Sequence, residues 1–317
     1  MTEKREGDEY LNIISLGKRI YRLEKWREFH RFIVFLARAA CHYGAMQELY
    51  AWFEADDDRR AILAENPFPM EQVTRAFFYA GSTFAERVAL TRHHYELLQA
   101  RLQPEAFRAC STFHGLRIWQ SEDDASWQTS LAFAPGQRKE GHLSLVMTAG
   151  GVSLYQMMFW LDRDKDGTPE LYIGAMQGPN AANAKDLIKD ITKRSFRYRT
   201  KNLILYMTQA VARSLGVQHI YAVTNDGYYA QNHVRRDRKL KTDFGAFWEE
   251  AGGWKTSDPR FDELPLIEPR KTMEEVPTRK RAQYRKRFVF LDAIDAQIAA
   301  SMGSIRRSGA GAASPQA

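Results

Sequence analysis

The sequence predicts an α+β protein: a helical N-terminal region followed by a mixed, mainly antiparallel sheet with flanking helices. Three observations predict it. Between residues 18 and 103 apolar residues recur three or four apart. From about residue 111 the rhythm changes to short runs that alternate or are apolar throughout. Those runs lead into two helical stretches and a further strand, an order that belongs to α/β or α+β domains.

In the helical region Trp26, Phe29, Ile33, Leu36 and Ala40 share one apolar face, which we assign to the core. The "NPFPM" segment at 66–70 interrupts the helices, because proline cannot continue one. The pattern resumes with Phe84, Val88, Tyr95, Leu98 and Leu102, and Pro104 ends it. "HLSLVMT" at 142–148 then alternates as a strand, and "AGG" at 149–151 is a turn. "SLYQMMFWL" at 153–161 and "ELYIGAMQG" at 170–178 are apolar on both faces, as central strands are. The three form an antiparallel meander.

Between the last two, Asp162, Asp164 and Asp166 precede Gly167 with the spacing of a calcium loop. Such a loop needs a bidentate acid at its twelfth position, which here is Ile173, and its flanks should be helices. A turn built on Asp and Gly is therefore the expectation. Helices follow at 181–195 and 203–215, the second stopped by Gly216, and 217–225 is a strand. A short aromatic helix at 243–253, an edge strand in "ELPLIEP" and a long helix at 278–302 complete the elements. The chain divides into a flexible leader (1–15), a helical region (16–110), an α/β domain with a C-terminal helix (111–302) and a disordered tail (303–317).

Hydrophobic residues make up 44% of the 317 residues and charged residues 27%, enough apolar surface for a sizeable core. A net charge of +7 and a pI near 9.3 favour polyanionic neighbours: nucleic acid, anionic lipid or phosphorylated cofactors. The two cysteines, Cys41 and Cys110, make no disulfide framework and fit a reducing compartment. The opening "MTEKREGDEY" shows no secretory signal. The best membrane candidate, residues 29–46, is interrupted by Arg31, Arg38 and His42. A cytoplasmic protein without a transmembrane segment is expected, with a peripheral membrane role open.

No HExxH, GxSxG, Walker or paired Cys-x-x-Cys motif is present, and no metal site is expected. Adjacent His93 and His94 point to different sides of a helix and make a poor metal pair. Together, "EGHLSLVM", "IGAMQGP", "DFGAFWEEAGG" and "PTRKRAQYRKRF" resemble the VirK/YbjX family, the bacterial DUF535 group, over about residues 25–301. The resemblance implies an accessory protein linked to virulence, to resistance against cationic antimicrobial peptides, and to stress or DNA-damage responses. It brings no catalytic residues with it.

"RYRTKNLILYMTQAVARSLGVQHIYAVTN" is similar in layout to the cofactor-binding core of GNAT acyltransferases, where a loop opens a helix whose N-terminus holds the pyrophosphate of coenzyme A. The resemblance implies a GNAT-like domain and an acyl donor, either acyl-CoA or an acyl-carrier protein. On that reading Arg197, Arg199, Lys201 and Asn202, with Gln177 and Gly178, hold the cofactor, while Glu170 is the base and Tyr228 or Tyr229 the acid. The chain departs from the GNAT loop in placing Thr200 and Asn202 where two small residues belong.

More ordinary roles stand beside each. Glu170 is a solvated turn residue, the tyrosines pack a loop, and Asn180 caps a helix. Basic clusters at 194–201, 235–241 and 279–287 are solvated faces by default. As a binding protein, the chain would offer them with Phe196, Tyr198, Tyr284 and Phe288 to nucleic acid, or alone to anionic lipid. Tyr284, Phe288 and Leu291 share a helical spacing and also read as a packing stripe.

Overall fold

Seven helices precede the first strand in the computed structural model, which describes residues 10–179, 183–232 and 243–307. They are α1 (Ile13–Ile20), α2 (Trp26–Cys41), α3 (Tyr43–Glu54), α4 (Asp57–Glu65), α5 (Phe68–Thr74), α6 (Phe84–Arg101) and α7 (Pro104–Ser111). Local chemistry sets several ends. Asn12 Oδ1 accepts from the Ile14 and Ser15 amides at 3.1 and 2.9 Å and starts α1. Thr83 and Glu86 form a reciprocal capping box on α6. Pro67 separates α4 from α5.

One core assignment is corrected. Trp26, Phe29 and Ile33 are 81%, 39% and 47% exposed, while Phe32, Phe35 and Ala39 face inward. α2 is apolar on two faces, so helical spacing alone does not say which is buried. Packing against α1 decides: a methyl group at Gly17 would stand 2.6 Å from the Phe32 ring, so the helices meet closely there.

The strands are β1 (Leu116–Gln120), β2 (Gln128–Ala132), β3 (Leu143–Ala149), β4 (Val152–Arg163), β5 (Pro169–Gln177), β6 (His219–Val223), β7 (Trp254–Lys255) and β8 (Phe261–Leu264). They form one eight-stranded sheet in the order β1-β2-β3-β4-β5-β6-β8-β7. Every pairing is antiparallel except β5 with β6. Met157 to Leu161 of β4 are all buried, so both faces of the central strand are covered. The helices packed on it include α6, α8 (Ala184–Arg194) and α9 (Thr200–Ser214), and α11 (Arg281–Ser304) lies along α9 and β1.

The 162–168 segment is a hairpin turn. Asp164 Oδ1 accepts from the Asp166 and Thr168 amides at 2.9 and 2.8 Å, and Gly167 takes φ +85°. The edge strand expected in "ELPLIEP" is shifted: β8 overlaps that segment only at Glu263 and Leu264, residues 265–269 are not strand, and β7 holds the edge. β1 and β2 carry no alternation strong enough to stand out in the sequence.

Candidate active site at a strand fork

β5 and β6 pair in parallel from Glu170↔His219 to Ile173↔Ala222, and there the ladder stops. β5 continues to Gln177 along β4, while Val223 pairs with Phe261 of β8. The β4–β5 register jumps from Met158↔Ala175 to Phe159↔Ile173, which leaves Gly174 bulged where β6 departs. Three glycines let other backbone segments close on this point. A methyl group at Gly174 would overlap the Glu140 carbonyl, one at Gly227 would overlap the Arg260 carbonyl, and one at Gly141 would lie 2.7 Å from the Phe159 nitrogen. The Phe78 amide donates to the Lys139 carbonyl and the Ala80 amide to the Gly227 carbonyl, both at 2.8 Å.

The convergence buries Glu140. Its Oε1 accepts from the Tyr228 hydroxyl at 3.1 Å, while its Oε2 is buried with no hydrogen-bond partner. Burial pushes the carboxyl up to about 7, against the opposing pull of Lys139 and of the Tyr228 hydrogen bond. Burial and the neighbouring Glu140 charge hold the Tyr228 hydroxyl far above its ordinary value, so it stays protonated. Tyr229 stacks edge-on to Tyr228 with centroids 4.8 Å apart. The pair thus joins a carboxyl able to take or give a proton near neutral pH to a phenol that donates.

Glu170 lies at the opposite, paired end of the β5–β6 ladder. It accepts from the Tyr172 hydroxyl at 2.8 Å, and burial raises its carboxyl. No hydrogen bond joins it to Tyr228, and Glu140 holds the acidic position at the fork instead. Sequence reasoning missed Glu140. The available signal was "EGH" at 140–142, a Glu-Gly pair directly before an alternating strand.

The cofactor-binding candidates gather elsewhere. Phe196 and Arg197 take left-handed φ values of +51° and +60° in the turn that opens α9. Arg199 pairs with Glu250, the last residue of α10 (Phe244–Glu250). Lys201 reaches the same carboxylate at 3.1 Å, and its ammonium lies 4.4 Å above the Phe247 ring. Asn202 Oδ1 is buried without a partner. Arg197, Arg199 and Asn202 line a cavity of about 470 Å³ together with Glu268, Lys271 and Arg287. α10 touches this turn through Glu250 and the end of β6 through Trp248, whose Nε1 donates to the Val223 carbonyl at 2.8 Å. No hydrogen bond or ion pair links the turn directly to Glu140 or Tyr228 among the described residues.

Gln177 and Gly178 stand exposed at the far end of β5, and Asn180 lies outside the described residues. So does the basic run at 235–241. Tyr284 and Phe288 pack edge to face with centroids 5.9 Å apart, with Arg287 4.4 Å above the Tyr284 ring.

His93 pairs with Asp162 at 2.6 Å, while His94 turns inward and stacks on His142 at 5.0 Å. The Leu161 amide donates to His94 Nδ1, and His142 Nε2 meets the Thr91 hydroxyl at 3.0 Å. Since that hydroxyl donates to the Arg87 carbonyl, His142 Nε2 carries the hydrogen and donates to it. Among the described residues no group of three or more His, Cys, Asp or Glu is placed to hold a metal ion.

The sequence matches the family described as a protein of unknown function, DUF535, over residues 24–300. The chain belongs to this family. It is similar to YbjX of Escherichia coli (strain K12), described as uncharacterised, at 27% identity over 259 residues, 80% of this chain and 77% of YbjX. An uncharacterised protein of Haemophilus influenzae is 28% identical over 133 residues, 42% of this chain and 44% of that protein. A further uncharacterised match from Haemophilus influenzae is 29% identical over 137 residues, 40% of this chain and 43% of its own length.

Proposed function

We propose that this family member is a cytoplasmic acyltransferase with a GNAT-like core. Its donor is an acyl thioester of coenzyme A or a carrier protein. It serves the virulence and stress context, including antimicrobial-peptide resistance, that the VirK/YbjX resemblance implies. The observation that carries the reading is the buried Glu140–Tyr228 pair, which lies where β5 bulges at Gly174 and parts from its parallel neighbour.

The chemistry follows from the two groups. Ionised Glu140 takes the proton of an incoming amine or hydroxyl, whose lone pair attacks the thioester carbonyl. The C–S bond breaks, the thiolate takes a proton from Tyr228, and Glu140 returns the proton to the phenol. Phosphate groups of the donor suit the mouth of α9, where Arg197 and Lys271 have no carboxylate partner among the described residues and the helix N-terminus favours anions. Thiol release from acyl-CoA, with thermal shift as the binding readout, tests the proposal. Glu140→Gln should keep the donor-induced shift and lower release by about 100-fold. No shift and no thiol release with acyl-CoA or acyl-carrier donors of several chain lengths would reject it.

A further inference from the structure

We propose that Arg38, Arg75 and Lys139 hold the phosphate or carboxylate group of a small ligand beside Glu140. The three come from separate segments: the last turn of α2, the residue that ends α5 and the loop before β3. Arg75 links them, since its charge acts on both Arg38 and Lys139. Arg38 is exposed while Arg75 and Lys139 are half-buried, so positive charge runs from the surface inward to the buried Glu140. A strained backbone fixes Arg75 there. The Phe77 amide donates to the Arg75 carbonyl at 2.7 Å and the Tyr79 amide to the Phe77 carbonyl at 3.0 Å, in two successive three-residue turns. Phe78, at the centre of the second, takes φ +71°, which an aromatic residue rarely adopts.

The protein itself does not answer these charges. Glu28 pairs with Arg31, and Glu71 pairs with Arg138 at 2.5 Å and accepts from the Tyr21 hydroxyl at 2.6 Å. Among the described residues that leaves Arg38, Arg75 and Lys139 without a carboxylate ion pair. Arg38 donates only to the Thr74 carbonyl, at 3.3 Å, and Arg75 Nη1 is buried without a hydrogen-bond partner. Burial and the Arg75 charge lower the proton affinity of Arg38. Burial also lowers that of Lys139, and Arg138, Arg31 and Arg75 add to this against the pull of Glu140. Like charges held together in partial burial destabilise the fold, and an anion that bonds them removes the penalty.

The ligand should bring a donor as well. Glu140 Oε2 and Gln72 Oε1 are both buried without partners. Gln72 Nε2 donates to the Gly141 carbonyl at 2.9 Å, which sets this amide beside Glu140. An N–H or O–H group suits these two acceptors, while an oxyanion suits the cations. On the function proposed above, the ligand is the acyl acceptor: an amine or alcohol that carries a phosphate or carboxylate. That assignment rests on the proposed function, whereas the anion site does not.

Titration calorimetry of the full chain with inorganic phosphate and, separately, with succinate tests the site. Ionic strength is held constant and no thioester is present, so the result is independent of acyl transfer and tells the two anions apart. One of the two is expected to bind. Arg75→Gln and Lys139→Gln should each weaken it by about tenfold or more, while Lys271→Gln, at the mouth of α9, should leave it unchanged. Without anion both variants should melt no lower than the wild type, because each relieves repulsion. The proposal fails if neither anion binds, or if Lys271→Gln removes the binding and the other two variants keep it. It also fails if both Arg75→Gln and Lys139→Gln melt well below the wild type without anion, which would make the cations structural. Anion binding by a chain that releases no thiol would uphold the site and overturn only the acceptor assignment.

Discussion

At the fork, Glu140 has one hydroxyl partner and no solvent; in the turn before α9, Arg199 and Lys201 share Glu250 in the open. The two regions hold charge under opposite conditions. Desolvation moves the proton affinity of Glu140 into the neutral range, and three backbone contacts at glycines hold it there. Water screens the basic turn, whose cations can exchange one carboxylate for another anion. On the proposed reading the difference would separate the tasks, with proton transfer in the dry region and anion capture in the wet one.

The contrast breaks most severely at Gly174. In Gly174→Ala the methyl group would overlap the Glu140 carbonyl oxygen, a backbone atom that cannot swing aside as a flexible side chain could. Urea unfolding should show a loss above about 3 kcal/mol, while exposed Gly136→Ala, with open space around it, should stay within about 0.5 kcal/mol.

Next comes Glu140 itself. Its folded pKa lies above the ordinary carboxyl value, so its contribution is fully present below about 4.5 and is lost as pH rises through about 7. Relative to the wild type, Glu140→Gln should gain about 2 kcal/mol between pH 5 and pH 7, read from urea midpoints at each pH. An unchanged difference would mean that water reaches the carboxyl.

The histidine stack should act with the opposite sign. Burial lowers His94 to about 3 and His142 well below the ordinary value, so both are neutral in the folded state. Their contribution is present above the unfolded value near 6.5 and is lost as pH falls below it. His142→Gln should therefore flatten the acid-side stability slope by about 1.4 kcal/mol per pH unit.

The smallest effect belongs to the turn. Arg199→Ala should change stability by less than about 0.5 kcal/mol, since exposed ion pairs contribute little. In titrations with acyl-CoA, the same variant should still weaken the donor's hold, and added salt should narrow its gap from the wild type. A larger stability loss would show that Arg199 is structural.

Much of this was determined by the sequence alone. The 142–178 meander was legible because alternation, continuous apolar runs and Asp-Gly turns act within a few residues. The α8–α9 pair and the strand that follows it were legible for the same reason, though not that this strand pairs in parallel with β5. Tertiary structure alone decided the rest. α2 has two apolar faces of equal period, and its packing against α1, α3 and α5 buried Phe32 and Phe35 rather than Trp26 and Ile33. Glu140 reads as an acid in a loop until Gly174 and Tyr228, distant in the chain, close over it. Periodicity is a property of neighbouring residues, whereas burial sums over the whole fold, and it is burial that sets which carboxyl can exchange a proton at neutral pH.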